Sequence, residues 1–271
     1  LKAMQKTAEA DQFGLKYYQA KGYIPSDKEG ESVSKTLEYA YNDWCIAEMA
    51  SMLGNDIMFQ DFIKRGQYYK NLFDQSTGFF RGKSNGSFVT PFDPTEVNFM
   101  LTEANTWQYN FFVPQDINTH IQMLGGDAGY ALKLDKLFTS ESELSGRHQS
   151  DITGLIGQYA HGNEPSHHMA YLYSYVGKPF KTQKLIHQIM NELYSNQPDG
   201  LSGNEDCGQM SAWYVMSGLG FYPVTPGSDM YIFGTPAFDS VFVRLENGKE
   251  FKVVATNFSE ENFYIQSVKY N

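Results

Sequence analysis

Cysteine is nearly absent from this sequence: Cys45 and Cys207 are the only two among 271 residues, far apart and without a CxxC companion. Neither a disulfide framework nor a thiolate zinc site is indicated, and each thiol is expected to sit as a small buried hydrophobe. Long apolar runs are also missing. No stretch approaches the roughly 18 apolar residues of a membrane helix, so no membrane span is expected. The opening LKAMQKTAEADQ lacks the apolar core of a signal peptide, and the chain is expected to be soluble and either mature or trimmed. Positive charge is scarce: 21 Lys and Arg stand against 31 Asp and Glu, a formal net charge of -10, and the basic residues never cluster. A phosphate backbone needs such clusters, which removes nucleic acid from the expected partners. With 41% hydrophobic and 19% charged residues, disorder and a coiled coil are excluded. One large globular domain, or one domain with an appendage, is expected.

What the sequence has in plenty is aromatic rings: 19 Tyr, 20 Phe and 3 Trp. An aromatic face packs on the C–H face of a pyranose while acids and amides bond its hydroxyls, so this load hints at sugar binding. For any single ring, filling a large core remains the simpler use.

Apolar residues at helical spacing predict a first helix over 3–20, a second over 33–53 closed by Gly54-Asn55, and a third over 56–73. Residues 74–98 read as an ordered loop or small hairpin, because Asn85-Gly86 is a hairpin turn pair and Pro91 and Pro94 exclude regular helix. Further helical segments are expected near 103–112, 115–123, 126–138, 165–176, 179–194 and 206–219. From Pro223 the pattern changes to strands, in SDMYIFG, SVFVRL, EFKVVAT and NFYIQSVKY. The chain is therefore expected to be mainly α, with a helical domain over 1–222 and a β segment over 223–271. No short tandem repeat marks a solenoid, and antiparallel helices joined by unequal loops fit a closed toroid better.

Three polar segments precede helices. In the first, LTEANTWQY, Thr102 can cap a helix with Glu103 in its first turn; alternatively, Glu103 shares a helical face with Trp107, and a carboxyl against an indole in a dry pocket would have the raised pKa of a general acid. In the second, HGNEPSHH, the histidines His161, His167 and His168 with Glu164 invite a metal reading. The spacing is not that of HExxH, and adjacent histidines on a helix diverge. Glu164 before Pro165 reads better as a ligand-binding group at a helix start. In the third, Asn204, Glu205 and Asp206 lead into an apolar helix, either as cap and first-turn acids or as the source of a second functional carboxylate.

The runs GESVSKTLEYAYNDWCIAEMA, GSFVTPFDP, TEANTWQYNFFVPQD, HGNEPSHHMAYLY and GLSGNEDCGQMSAWYVMSGLGFYPVTPGSDMY strongly resemble the glycoside hydrolase family 92 α-mannosidases. They lie in family order and cover nearly the whole chain. The resemblance implies a calcium-dependent, inverting exo-α-mannosidase acting on mannose-containing glycans, exported from the cell and serving N-glycan degradation. It implies an (α/α)6 barrel, here without the family's preceding N-terminal β-sandwich domain, and with the terminal strands as its C-terminal β segment. It places the general acid on Glu103 and the general base on Asp206. Trp107, Asn163, Glu164, Asn204 and Glu205 are the expected substrate-binding residues, and the ligands of the implied Ca2+ are left unassigned. Three positions depart from the family pattern. Asn204 stands where some members carry another acid, Asn163 where members preferring α-1,2 linkages can show His, and Asn42-Asp43 where YDDW is usual.

Inversion needs one protonated carboxyl to serve the leaving oxygen and one carboxylate to activate water on the opposite face, about 6.5–9.5 Å away. A hard Ca2+ could hold O2 and O3 of the mannoside and ease distortion of the ring. The rivals are a non-catalytic carbohydrate-binding domain, which retention of both Glu103 and Asp206 opposes, and an (α/α)6 glycosidase for another sugar.

Overall fold

A computed structural model describes residues 1–270. The protein is mainly helical, and its chain divides into two compact units, Leu1–Ala160 and His161 onward. The first unit contains α1 (Lys2–Ala8), α2 (Leu15–Lys21), α3 (Ser32–Met52), α4 (Asp56–Arg65), α5 (Thr106–Tyr109), α6 (Ile117–Met123) and α7 (Gly126–Thr139). The second contains α8 (Pro179–Glu192) and α9 (Gln209–Leu219). Among the described residues no helix is long and apolar enough to cross a membrane.

Helix α3 is the spine of the first unit. It holds no Gly or Pro, and its residues Val33, Leu37, Ala40, Ile46, Ala47 and Ala50 are all buried. Leu101, Ala104, Tyr109 and Val113 join Val33, Leu37 and Ala40 in one cluster, so the segment around Glu103 is moored to α3 by apolar packing. Asp43, the retained acid of the YNDW run, is buried in α3 and accepts from Arg65 Nε of α4 at 2.9 Å. Asn42, the departing residue, is exposed. Asp43→Asn is therefore expected to strand a buried guanidinium and cost about 3–5 kcal/mol, read as a lower midpoint in urea unfolding.

Two expected helices of the first unit are interrupted. The first divides into α1 and α2 because Phe13 and Gly14 have φ of 49° and 78°, a left-handed pair that no right-handed helix accommodates. The third ends at Arg65 and resumes as a 3-10 turn over Tyr68–Leu72. The break falls at Gly66, where a Cβ would lie 3.4 Å from the Ala40 carbonyl oxygen. The Asn85-Gly86 turn forms as expected, with both φ positive, between Lys83–Ser84 and Ser87–Phe88.

In the second unit the helix expected over 165–176 is a pair of 3-10 segments, Glu164–Ser166 and Met169–Val176. Met169 to Tyr173 are buried in succession, so no polar face marked the tighter winding. The C-terminal hairpin pairs Ser240–Arg244 with Glu250–Val254. NFYIQSVKY is not a strand over its described residues; it runs without ladder partners. Phe221–Tyr222 pairs with Ile232–Phe233, so the expected division at 222/223 lies inside a strand pair of the second unit. Both thiols are free. Cys45 is partly buried and Cys207 exposed, because Cys207 sits on a surface turn rather than within the helix that follows it.

Candidate active site

Glu103 and Trp107 fall in the first unit, and Asn163, Glu164, Asn204, Glu205 and Asp206 in the second. Each group is built by its own unit.

Glu103 does not lie in a helix. The cap of α5 is Asn105, not Thr102: its side chain accepts from Gln108 N at 3.2 Å while Gln108 Oε1 accepts from Asn105 N at 2.9 Å. This reciprocal pair starts the helix with its cap two residues after Glu103, whose backbone is left-handed at φ 50°. A non-glycine residue in that region costs about 1 kcal/mol or more and persists where the surroundings over-determine it. The surroundings here are firm. Thr102 N donates to Ser34 Oγ at 2.8 Å, Tyr109 donates to Glu38 at 2.8 Å, and Asn105 Nδ2 donates to Gln158 Oε1 at 2.7 Å. Gln158 in turn donates to the carbonyls of Glu141 and Glu143. The half-buried carboxyl of Glu103 is thus presented by a turn that α3 and a chain of amides hold in place.

Trp107 was expected on the same helical face as Glu103, and that relation does not exist because only Trp107 is helical. Its indole is 8% exposed and meets Phe79 edge to face at 4.7 Å. Lys133 Nζ lies 3.2 Å from the Phe79 ring centre and 4.9 Å from that of Trp107. Burial pushes the Lys133 amine down to about 8. Trp107 therefore forms part of a packed aromatic wall with Phe79 and Lys133.

In the second unit Asn163 precedes the Glu164–Ser166 turn, and Pro165 occupies its second position. Asn163 is buried and Glu164 half-buried. His161 and His167, which flank them, are 0% and 2% exposed. The His161 ring meets the indole of Trp213 at 4.4 Å and the imidazole of His167 at 5.0 Å. Burial holds both imidazoles below their ordinary pKa, His167 at about 4, so both are neutral near pH 7.

Helix α9 begins later than expected, at Gln209 with Gly208 as cap, so Asp206 lies before it and not in its first turn. Asp206, Cys207 and Gly208 have φ of 54°, 57° and 102°, three left-handed residues in succession. Glu205 takes the capping part expected of Asn204. One of its oxygens accepts from Gly208 N and the other from Ser211 N at 3.2 Å, and hydrogen bonds from Ser211 and Gly208 hold its carboxyl below the usual range. This leaves Asn204 and Asp206 exposed on the turn, one on either side of an anchored Glu205.

Calcium takes six to eight oxygen ligands, several of them carboxylates. Among the described residues no group of three Asp, Glu, His or Cys side chains converges as a metal centre, and Glu205 is engaged by backbone amides. These side chains alone do not form a calcium cage.

The spacing of residue types did not pick out the supporting groups. Asn105 and Gln108 stand at the three-residue separation of a capping box, a signal present in the sequence. Gln158, Lys133, Tyr194 and Gln209 carry no local pattern, since their partners lie far away in the chain.

A glutamate and an aspartate, each displayed on a strained turn, are the residue types that glycoside hydrolysis uses. The chain belongs to glycosyl hydrolase family 92: the family's catalytic-domain model matches residues 1–271. It is similar to an α-mannosidase of that family from Bacteroides thetaiotaomicron, solved in complex with mannoimidazole, at 44% identity and a TM-score of 0.92, over 97% of this chain and 36% of the other. A second structure, a family 92 inverting mannosidase from the same organism, superposes at a TM-score of 0.87 with 35% identity, over 97% of this chain and 38% of the other. An uncharacterized secreted glycosidase of Arthroderma benhamiae is 31% identical over 95% of this chain and 36% of its own length. The chain thus spans little more than a third of the relatives it matches.

Proposed function

We propose that this chain supplies the catalytic residues of an exo-acting, inverting α-mannosidase that removes terminal mannose from glycans. The observation that carries the reading is the pair of family motifs, each with its carboxylate intact and displayed on a left-handed turn: Glu103 at φ 50° and Asp206 at φ 54°. Glu103 protonates the glycosidic oxygen as the bond to C1 breaks. Asp206 takes a proton from the attacking water, whose oxygen bonds C1 from the opposite face, and positive charge on the ring passes through an oxocarbenium-like state. Asn163, Glu164 and Asn204 bond sugar hydroxyls, Glu205 holds the Asp206 turn, and Trp107 backs the Glu103 side. The similarity to a mannosidase solved with mannoimidazole supports mannose as the sugar. The similarity to an inverting mannosidase supports the stereochemistry.

Around these residues the reading places the helices in an (α/α)6 barrel, completed in the whole protein by an N-terminal β-sandwich. The secreted relative supports an exported protein. Release of mannose from linkage-defined mannobioses by the complete protein tests the reading, and no release from any of them would end it. Proton NMR of the first-formed sugar is expected to show β-mannose; an initial α anomer would require a covalent intermediate and remove Asp206 from its role.

Calcium enters as a separate proposal that rests on the family resemblance alone, with its ligands unassigned. When bound, such an ion would polarise sugar oxygens and steady ring distortion. Chelation by EDTA is expected to lower turnover reversibly, with recovery on added Ca2+ and not Mg2+. Full activity after exhaustive chelation would dismiss the ion while leaving both carboxylates in place.

A further inference from the structure

His161 and His167 are buried titratable groups that the proposed reaction does not use, and each is linked by hydrogen bonds to the start of α9, His167 through Gln209 and His161 through Tyr194. His167 Nδ1 lies 3.2 Å from the side-chain amide nitrogen Nε2 of Gln209, and His167 Nε2 lies 3.0 Å from the carbonyl oxygen of His161. An amide nitrogen donates and a carbonyl accepts, so one neutral tautomer, protonated on Nε2, satisfies both contacts. His161 Nε2 lies 2.7 Å from the Tyr194 hydroxyl, which itself donates to the Met210 carbonyl at 3.2 Å. The same tautomer is therefore required at His161. Trp213 Nε1 completes the set by donating to the His167 carbonyl at 3.0 Å.

Gln209, Met210 and Trp213 thus tie the first turns of α9 to both ends of the segment that carries Asn163 and Glu164. The backbone N–H of Gln209, separate from its side-chain amide, donates to the carbonyl of Asp206 at 3.2 Å, so the residue that His167 holds by its side chain is bonded to the turn through its main chain. An apolar ring in place of His167 would keep the packing but leave the Gln209 amide and the His161 carbonyl without this partner.

We infer that His167 is a positioning residue, which acts through Gln209 to fix the Asp206 turn against the segment bearing Asn163 and Glu164. The inference rests on the proposed role of Asp206 as base. Positioning and packing make different demands. A packing role would set stability alone. A positioning role sets how well an already bound sugar meets its water, and that appears in kcat.

The test uses Gln209→Leu, His167→Phe, their double variant and His167→Asn in the complete protein. Asn offers an acceptor where Nδ1 stands, and Gln209 is only half-buried, so its variant carries the test if His167→Phe does not fold. Gln209→Leu and His167→Phe are each expected to lower kcat about tenfold or more with KM little changed, as misplacement of a reacting group does. The loss should be equal on natural mannosides and on those with activated leaving groups, because water activation serves both. The double variant should be no worse than His167→Phe, the non-additivity of a shared contact, and His167→Asn should recover most of the loss. A change in thermal midpoint or KM alone, or additive losses, would overturn the inference. Wild type and Asp206→Asn are assayed alongside. If wild type releases no mannose, or Asp206→Asn turns over normally, the proposed reaction fails and the inference with it. If both behave as expected while Gln209→Leu is normal, the positioning role alone is lost.

Discussion

Glu103→Gln is expected to lose about a hundredfold or more of its turnover on natural α-mannosides, the usual contribution of a positioned general acid. The same variant should retain most activity on mannosides whose leaving group departs as a stable phenolate. The amide is nearly isosteric with the carboxyl and cannot give up a proton to the glycosidic oxygen, so only the step that needs that proton is slowed. Fold and binding should be preserved. Thr102, Asn105 and Tyr109 fix the turn through their own hydrogen bonds, without needing a charge on residue 103. Glutamine also adopts the same left-handed backbone at the same steric cost as glutamate. The decisive measurement is kcat/KM for a mannobiose and for a dinitrophenyl mannoside, with wild type and variant side by side. Equal losses on both would remove Glu103 from proton donation and give it a part in binding or in water activation.

The sequence was most legible where a residue's environment is local. The 21-residue helix α3 could be read because its buried positions recur at helical spacing over six turns without Gly or Pro. The Asn85-Gly86 hairpin was legible for an equally local reason, the ease with which that pair takes positive φ. Backbone reversals inside an apolar pattern were not. Phe13, Glu103, Asp206 and Cys207 all adopt left-handed conformations inside or beside apolar patterns, and around Glu103 the turn is held by partners distant in the chain, Ser34 and Gln158. The helices that follow Glu103 and Asp206 start later than the apolar pattern predicts, and each carboxylate lies in the turn before its helix, where strain and anchoring hold a side chain that regular winding would turn with the helix face. The identity of the carboxylates came from the family motifs, and what the structure adds is how each turn is held.

Asp206→Asn is expected to lose activity on every α-mannoside, natural or activated, by about a hundredfold or more. The contrast with Glu103→Gln follows from the two halves of an inverting displacement. Attack by water must be assisted whatever leaves from C1, so a better leaving group does not relieve loss of the base. Asparagine is among the residues that best accept left-handed backbone, and position 206 is exposed, so the substitution should leave the turn and the stability of α9 undisturbed. The capping bonds of Glu205 to Gly208 and Ser211 remain as well, and KM should change little. Azide supplies a direct discriminator. It is an anion that attacks without surrendering a proton, so it should restore turnover in Asp206→Asn and form β-mannosyl azide, with inversion at C1. No such rescue is expected in Glu103→Gln on natural mannosides, where the leaving oxygen still lacks its proton. An Asp206→Asn variant with normal turnover would sink the base assignment. Rescue that yields the α-azide would place a covalent intermediate on the path and make the enzyme a retaining one.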